Sequence, residues 1–157
     1  MSTTALIALV AGAAVADSGR LGVPTSSGQL VYVSAYSNVY TLDAKRKLNL
    51  SVTLSIRNTD LSDTLTVQSV RYYNSGGALV REYVESAMTV PPLATLEYVV
   101  ERRDDSGGSG ANFLVDWSAE KPVSTPIIET LMVSAGAGAN ALAFARSGQI
   151  IQERTEE

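Results

Sequence analysis

Histidine and cysteine are both absent from the 157 residues of this chain. Their absence excludes Ser-His-Asp and Cys-His catalysis as well as thiolate redox chemistry. It also removes the nitrogen and sulfur ligands that zinc, copper and iron usually take in proteins. The chain contains no recognised catalytic motif either. We therefore expect a protein that is not an enzyme, and we predict no catalytic residue and no cofactor.

Basic residues are few, with 12 Lys and Arg against 16 Asp and Glu, which gives a formal net charge of −4. The charges are scattered along the chain, so no broad basic surface is predicted to neutralise phosphates. We therefore expect no nucleic-acid partner. A length of 157 residues is typical of one domain, and it is enough to bury a core without metals or disulfides.

The apolar run over residues 5–16 (ALIALVAGAAVA) is too short for an integral membrane span, which needs about 20 residues. It ends in the A-x-A pattern of a signal-peptide cleavage site. We therefore predict a signal peptide over residues 1–16 and a periplasmic or secreted protein. Because residues 1–4 carry no lysine or arginine, a cytoplasmic protein with a flexible or helical N-terminal extension is the alternative.

Strand-like alternation begins at residue 30 and is clearest over residues 48–56, where aliphatic side chains alternate with Asn, Ser and Thr. A similar run, residues 64–73, follows after a turn rich in Asn and Asp, so the two runs are predicted to form a β-hairpin. Pro91 and Pro92 interrupt the pairing further on, because proline cannot donate a hydrogen bond to a neighbouring strand. After the residue 104–112 loop, Phe113, Val115 and Trp117 are predicted to face the core.

The fold class predicted from this pattern is all-β, with about eight short strands and no long helical pattern among them. Such strands favour an antiparallel β-sandwich of immunoglobulin-like type over residues 30–148, with a small β-barrel as the alternative. Residues 17–29, rich in Gly, Ser and Pro, are predicted to be a flexible linker. Residues 149–157 are predicted to be a charged tail.

One bacterial domain-of-unknown-function family, numbered three-one-two-four, resembles this chain over nearly all of the predicted domain. The resemblance rests on five ordered segments, which are residues 31–40 (VYVSAYSNVY), 48–60 (LNLSVTLSIRNTD), 70–83 (VRYYNSGGALVREY), 104–117 (DDSGGSGANFLVDW) and 121–133 (KPVSTPIIETLMV). Members of that family are typically small exported or lipid-anchored proteins, so the resemblance implies export, but it implies no activity. This chain departs from the lipid-anchored members because it has no cysteine to carry a lipid.

The glycine loop, defined here as residues 104–112 (DDSGGSGAN), is the most distinctive segment of the sequence. Oxygen ligands suit calcium, and the loop offers four candidates, Asp104, Asp105, Ser106 and Asn112. Their spacing does not match an EF-hand. A backbone nest for an anion is a second interpretation, but no lysine follows and the next element is a strand.

A purely structural turn is the interpretation of the glycine loop that we favour. Its three glycines would supply positive φ angles, and its polar side chains would bond to the backbone. The glycines concerned are Gly107, Gly108 and Gly110.

Tyrosine is the one abundant aromatic residue, with seven in the chain. Tyr32, Tyr36 and Tyr40 recur at every fourth position and are candidates for binding a partner, because exposed tyrosines stack on sugar rings or anchor protein interfaces. Ordinary packing in a half-buried sheet is the alternative for these tyrosines. An open sandwich also exposes edge strands, which favours a homodimer or strand addition.

Paired carboxylates are the remaining route to catalysis, since a glycosidase needs two of them about 5 to 9.5 Å apart across a cleft. Most acids lie at predicted turns or on solvated strand faces, so a solvated surface is the favoured interpretation. Taken together, these features predict an exported, non-enzymatic binding or structural module of the bacterial envelope with a protein or glycan partner. A calcium-binding or carboxylate-using protein centred on the glycine loop is the alternative.

Overall fold

The computed structural model of the chain describes residues 22–40, 43–135 and 141–154. Within these ranges the chain forms twelve β-strands and no helix. The strands are β1 (Thr25–Ser34), β2 (Asn38–Tyr40), β3 (Lys47–Asn49), β4 (Ser51–Arg57), β5 (Leu65–Tyr73), β6 (Leu79–Glu82), β7 (Met88–Val90), β8 (Thr95–Val100), β9 (Asn112–Ser124), β10 (Ile127–Ser134), β11 (Leu142–Ser147) and β12 (Gln149–Glu153).

The strands form two antiparallel sheets that enclose one core. The six-stranded sheet has the order β12-β1-β9-β5-β6, with β7 also paired to β5, and the four-stranded sheet has the order β11-β10-β4-β8. Strands β2 and β3 form a separate hairpin. Each sheet ends in edge strands, so the predicted all-β class and antiparallel sandwich are confirmed over the described residues, and the alternative of a small closed barrel is not adopted.

The core is built from the alternating positions that the sequence predicts, most clearly in the central strand β9. Phe113, Val115 and Trp117 are fully buried, whereas Leu114 and Asp116 lie on the opposite face of the strand. The four-stranded sheet contributes its own buried aliphatic side chains, which are Val52, Leu54, Ile56, Ile128 and Met132. Trp117 is therefore an anchor of the core, as predicted.

The first boundary of the domain lies earlier than predicted, because β1 begins at Thr25 and so takes in residues 25–29 of the predicted linker. Position 28 needs a residue without a side chain, because the backbone of β9 lies close to it. A Cβ on Gly28 would lie 2.7 Å from the carbonyl oxygen of Trp117, and the Ser26 hydroxyl donates to the Gly28 carbonyl. The predicted signal peptide, residues 1–16, and residues 17–21 lie outside the described residues.

The last boundary lies later than predicted, because residues 149–153 of the predicted tail form the edge strand β12 and pair with β1. The strand is reached through Gly148, whose N–H donates to the Ile128 carbonyl at 2.8 Å. Within the pair, the Gln29 amide donates to the Glu153 carboxylate at 3.0 Å. Every residue of β12 is exposed, so its composition shows no core-facing pattern.

The predicted hairpin between residues 48–56 and 64–73 is wrong, because β4 and β5 belong to different sheets. Residues 47–49 pair with β2, and the buried Leu50 separates them from β4. The segment after β4 then crosses to the other sheet. There, the buried Asn58 side chain donates to the carbonyls of Asp63 and Val90 at 2.8 and 2.9 Å.

Asp60 stabilises this crossing between the sheets. Its carboxylate accepts backbone N–H bonds from Ser124 at 2.9 Å, from Ser62 at 3.0 Å and from Asp63 at 3.0 Å. These bonds, with that from Ser124 foremost, hold the pKa of Asp60 well below its ordinary value. The residues predicted to turn a hairpin thus serve as a polar connection between the two layers.

Candidate functional site

The glycine loop connects β8 to β9, and its first acid is bound within the protein. The Asp104 carboxylate accepts hydrogen bonds from the backbone N–H and the hydroxyl of Ser106, and it forms an ion pair with Arg81 at 3.2 Å. The hydroxyl of Ser106 is the main cause of the lowered pKa of Asp104, and the charge of Arg81 lowers it further. Asp104 therefore acts as an acceptor inside the turn.

Ser75 lies in the turn between β5 and β6 and forms hydrogen bonds with the centre of the glycine loop. Its backbone N–H and its hydroxyl both donate to the Gly107 carbonyl, at 2.9 and 3.0 Å, and its hydroxyl accepts the Gly110 N–H at 2.8 Å. The Gly108 carbonyl accepts the Ser37 N–H at 3.0 Å. Sequence reasoning missed Ser75, because nothing local connects it to a loop that lies 35 residues further along the chain.

The three loop glycines have different roles, and the prediction that all three supply a positive φ holds only for Gly108, whose φ is 79°. Gly107 is required by a close approach instead. A Cβ there would overlap the hydroxyl of Tyr72 and lie 2.6 Å from the Ser37 hydroxyl. These two hydroxyls share a buried hydrogen bond of 2.8 Å, and burial raises the pKa of Tyr72.

The four calcium candidates lie in different settings. Asp104 is bound by Arg81, and the Ser106 hydroxyl donates to Asp104. Asp105 is exposed, and Asn112 begins β9 opposite residues of β1 and β5. Across the ranges that the structure covers, no group of three or more acidic side chains is placed to hold a metal ion. Of the four candidates, Asp104 and Ser106 are thus engaged with each other, and Asp104 also with Arg81.

The structure does not bring the three tyrosine candidates together. Tyr32 lies on the outer face of the six-stranded sheet, opposite Leu114 of β9. Tyr36 follows β1 and packs edge-on against Phe144, with ring centroids 5.6 Å apart. Tyr40 is 57% exposed at the end of β2, with the Lys47 ammonium 5.5 Å from its ring centroid.

A groove of about 490 Å³ lies where β5, β7 and the end of β9 meet, and we call it the polar groove. Thr66 of β5 is paired with Thr89 of β7 and with Ser118 of β9, so hydroxyl groups stand side by side across three strands. The lining residues are Ser62, Asp63, Thr64, Thr66, Thr89, Glu120, Lys121 and Val123. Sequence reasoning missed this site, because its residues come from three separate segments with no shared motif.

Two carboxylates, those of Asp63 and Glu120, line the polar groove. Asp63 is held there as an acceptor, because its carboxylate forms an ion pair with Lys121 at 2.9 Å and accepts the Ser62 hydroxyl at 3.2 Å. The hydrogen bond from Lys121 to Asp63 raises the pKa of the lysine. The groove thus presents hydroxyls together with charges of both signs.

No helix in the described part of the chain is long and apolar enough to cross a membrane. No curated protein matches the chain. Among solved structures, it is similar to the crystal structure of Thermotoga maritima 1070, with a TM-score of 0.47 and 10% identity over 80% of this chain and 97% of that one. The family model described as "Protein of unknown function (DUF3124)" matches residues 28–151, which confirms the resemblance seen in the sequence. The chain therefore belongs to the DUF3124 family.

Proposed function

We propose that this protein is an exported, non-enzymatic module of the bacterial envelope that binds a glycan in the polar groove. The observation that carries the proposal is the groove itself, whose volume of about 490 Å³ is in the usual range of ligand sites. Its lining of serine and threonine hydroxyls, with Lys121 and two carboxylates, offers both donors and acceptors. Sugar hydroxyls need that combination, whereas an apolar ligand does not.

Binding without reaction is supported by the residue types available. The chain has no histidine or cysteine, so the hydroxyls of the groove have no imidazole base to activate them. Lys121 is paired with Asp63, which leaves both as hydrogen-bonding groups of the groove wall. Export is supported by the apolar run over residues 5–16 with its A-x-A ending.

Calorimetric titration with soluble peptidoglycan fragments and envelope polysaccharide tests the binding. We expect Thr66→Val, which keeps the side-chain shape but removes a groove hydroxyl, to weaken binding about two- to tenfold. Thr53→Val, on the outer face of the four-stranded sheet, is the matched control and should bind like wild type. Failure of every glycan to bind, or equal weakening by both variants, would contradict the proposed site.

The same glycans distinguish a binding module from a hydrolase. If wild type released shorter glycan products and Asp63→Asn or Glu120→Gln abolished the release, the protein would be an enzyme and the non-enzymatic proposal would be wrong. We expect the glycan to be recovered intact.

Export is tested by mass spectrometry of the protein purified from its native host. We expect a mature chain that begins at Asp17 and is found in the envelope fraction. A chain found in the cytosol with an intact Met1 or Ser2 terminus would contradict export.

A further inference from the structure

The outer face of the four-stranded sheet carries an apolar surface that we call the apolar face, formed by Val99, Leu131, Val133, Ala143 and Ala145. Leu131 lies opposite Ala145 of β11 and Thr53 of β4, and Thr53 lies opposite Val99 of β8. A row of uncharged residues therefore crosses all four strands, from Ala145 through Leu131 and Thr53 to Val99. Its large side chains are open to solvent, since Leu131 is 45% and Val99 52% exposed.

The two ends of the apolar face carry opposite charges. On one side of the row, Glu129 pairs with Arg57 at 3.4 Å, while Glu97 accepts the Ser55 hydroxyl at 3.1 Å. Among the described residues, Glu97 has no ion-pair partner. This end therefore has one carboxylate whose charge is not compensated.

The other end has an uncompensated cation. Arg102 follows β8, and its guanidinium donates to the Ala135 carbonyl beyond β10 at 3.1 Å, so it lies across the ends of both strands. Its neighbour Arg103 pairs with Glu101 at 2.6 Å. No carboxylate of the described residues forms an ion pair with Arg102.

From this arrangement we infer that the apolar face binds a second copy of the chain. A two-fold axis along the row from Leu131 to Val99 packs each row against its own copy, as a symmetric dimer interface requires. The same axis turns the Glu97 end of one protomer toward the Arg102 end of its partner. Apolar contact thus occupies the centre of the interface, and opposite charges meet at both ends.

The edge strand β12 is less suited to binding a second copy, although its Ile150 and Ile151 are 54% and 55% exposed. The register shifts by one residue along β12, so that Ile151 is left without a partner in β1. Such a bulge bends and twists an edge strand, which hinders the addition of a further strand. A dimer formed through the apolar face requires no strand pairing at the sheet edges.

The size of the face predicts a weak dimer. Four strands about 4.8 Å apart and about seven residues long cover roughly 450 Å². Stable complexes bury about 800 Å² on each partner, so we expect dissociation constants in the micromolar range or weaker. The proposal concerns self-association and does not depend on the proposed glycan binding.

Sedimentation equilibrium from micromolar to millimolar concentration tests the dimer. We expect wild type to dimerise with concentration, Leu131→Lys and Val99→Lys to stay monomeric, and Ile151→Lys on β12 to dimerise like wild type. Each lysine replaces an exposed side chain, so thermal melts should confirm that all variants fold. A wild-type chain that stays monomeric at millimolar concentration, or an Ile151→Lys variant that alone loses the dimer, overturns the proposal.

Charge reversal tests the orientation of the two copies. We expect Glu97→Lys and Arg102→Glu each to weaken the dimer severalfold and the double variant to recover much of the loss, because the reversed charges meet again across the interface. Weakening by both single variants without recovery in the double variant would contradict the two-fold arrangement.

Discussion

The glycine loop and the apolar face differ in where their interactions are directed. In the loop, Asp104 binds Ser106 and Arg81, and the backbone at Gly107 binds Ser75, so these polar groups have their partners within the chain. On the apolar face, large side chains such as Leu131 and Val99 remain about half exposed. The segment with the most distinctive residues is thus engaged internally, whereas the surface free to bind a partner has no motif.

This difference separates two kinds of substitution. A change in the loop alters buried hydrogen bonds and close packing, so its effect should fall on the free energy of unfolding. A change on the apolar face alters contacts that exist only between copies, so its effect should fall on association. The glycine substitutions below test the first half of that contrast, beginning with the largest expected effect.

Gly107→Ala is expected to be the most destabilising substitution, at about 3 kcal/mol, because the new methyl group overlaps the buried Tyr72 hydroxyl and breaks its bond to Ser37. Urea unfolding measures the loss. Adding Tyr72→Phe removes the overlapping oxygen and should restore part of the stability. Unfolding of Gly107→Ala at the wild-type urea concentration would show that the loop is not tightly packed.

Gly108→Ala is expected to cost about 1–2 kcal/mol, because an alanine there must adopt a left-handed conformation and its Cβ would lie 2.6 Å from the Ser75 hydroxyl. Gly110→Ala is the matched control in the same loop, since its φ is not positive and its Cβ would lie 3.3 Å from the Ser75 hydroxyl. We expect the control to cost clearly less in the same urea experiment. Equal losses at both positions would contradict the different roles assigned to the two glycines.

Asp60→Asn is expected to flatten the dependence of stability on pH in acid. The folded-state pKa of Asp60 is lowered, so its carboxylate stabilises the fold above the ordinary value of 3.8, and this contribution is lost as the pH falls below that value. Urea unfolding at steps from about pH 5 to pH 2 should therefore show a shallower slope for the variant. A slope equal to that of wild type would mean that the backbone bonds to Asp60 do not favour its charged form.

Calcium is expected to have the smallest effect, with no change in melting temperature at millimolar concentration. The ion would have to displace Arg81 from Asp104 and break the bond from the Ser106 hydroxyl. Differential scanning calorimetry with and without calcium measures this. A saturable rise in melting temperature that Asp104→Asn removes would show that the loop is an ion site, as the alternative interpretation of the sequence holds.

The sequence predicted which face of a strand is buried better than it predicted which strands lie side by side. Alternation in residues 112–117 identified the buried side of β9 correctly, because burial follows directly from polarity. The same kind of pattern could not show that β4 and β5 lie in different sheets, since alternation specifies a face and not a partner. Composition also misled at Gly28, where a small residue reflects close packing rather than flexibility.

The candidate sites show the same limit of sequence-based prediction, because their residues lie far apart in the chain. The glycine loop was predicted as a structural turn, but Ser75 and Tyr72, which hold it in place, are more than thirty residues away in the chain. The polar groove and the apolar face combine residues from several strands, so neither has a local pattern. Their positions depend on strand order and register, which hydrophobic periodicity does not specify.

The most direct test of this contrast is an amide NMR spectrum of the wild-type protein, recorded as it is diluted from millimolar to micromolar concentration. We predict that shifts confined to the apolar face, around Thr53, Val99 and Leu131, change with dilution, while those of Gly107 and Gly108 stay constant. Spectra that do not change, or changes centred on the glycine loop or on β12, would contradict the assignment of the apolar face as the surface that binds a second copy.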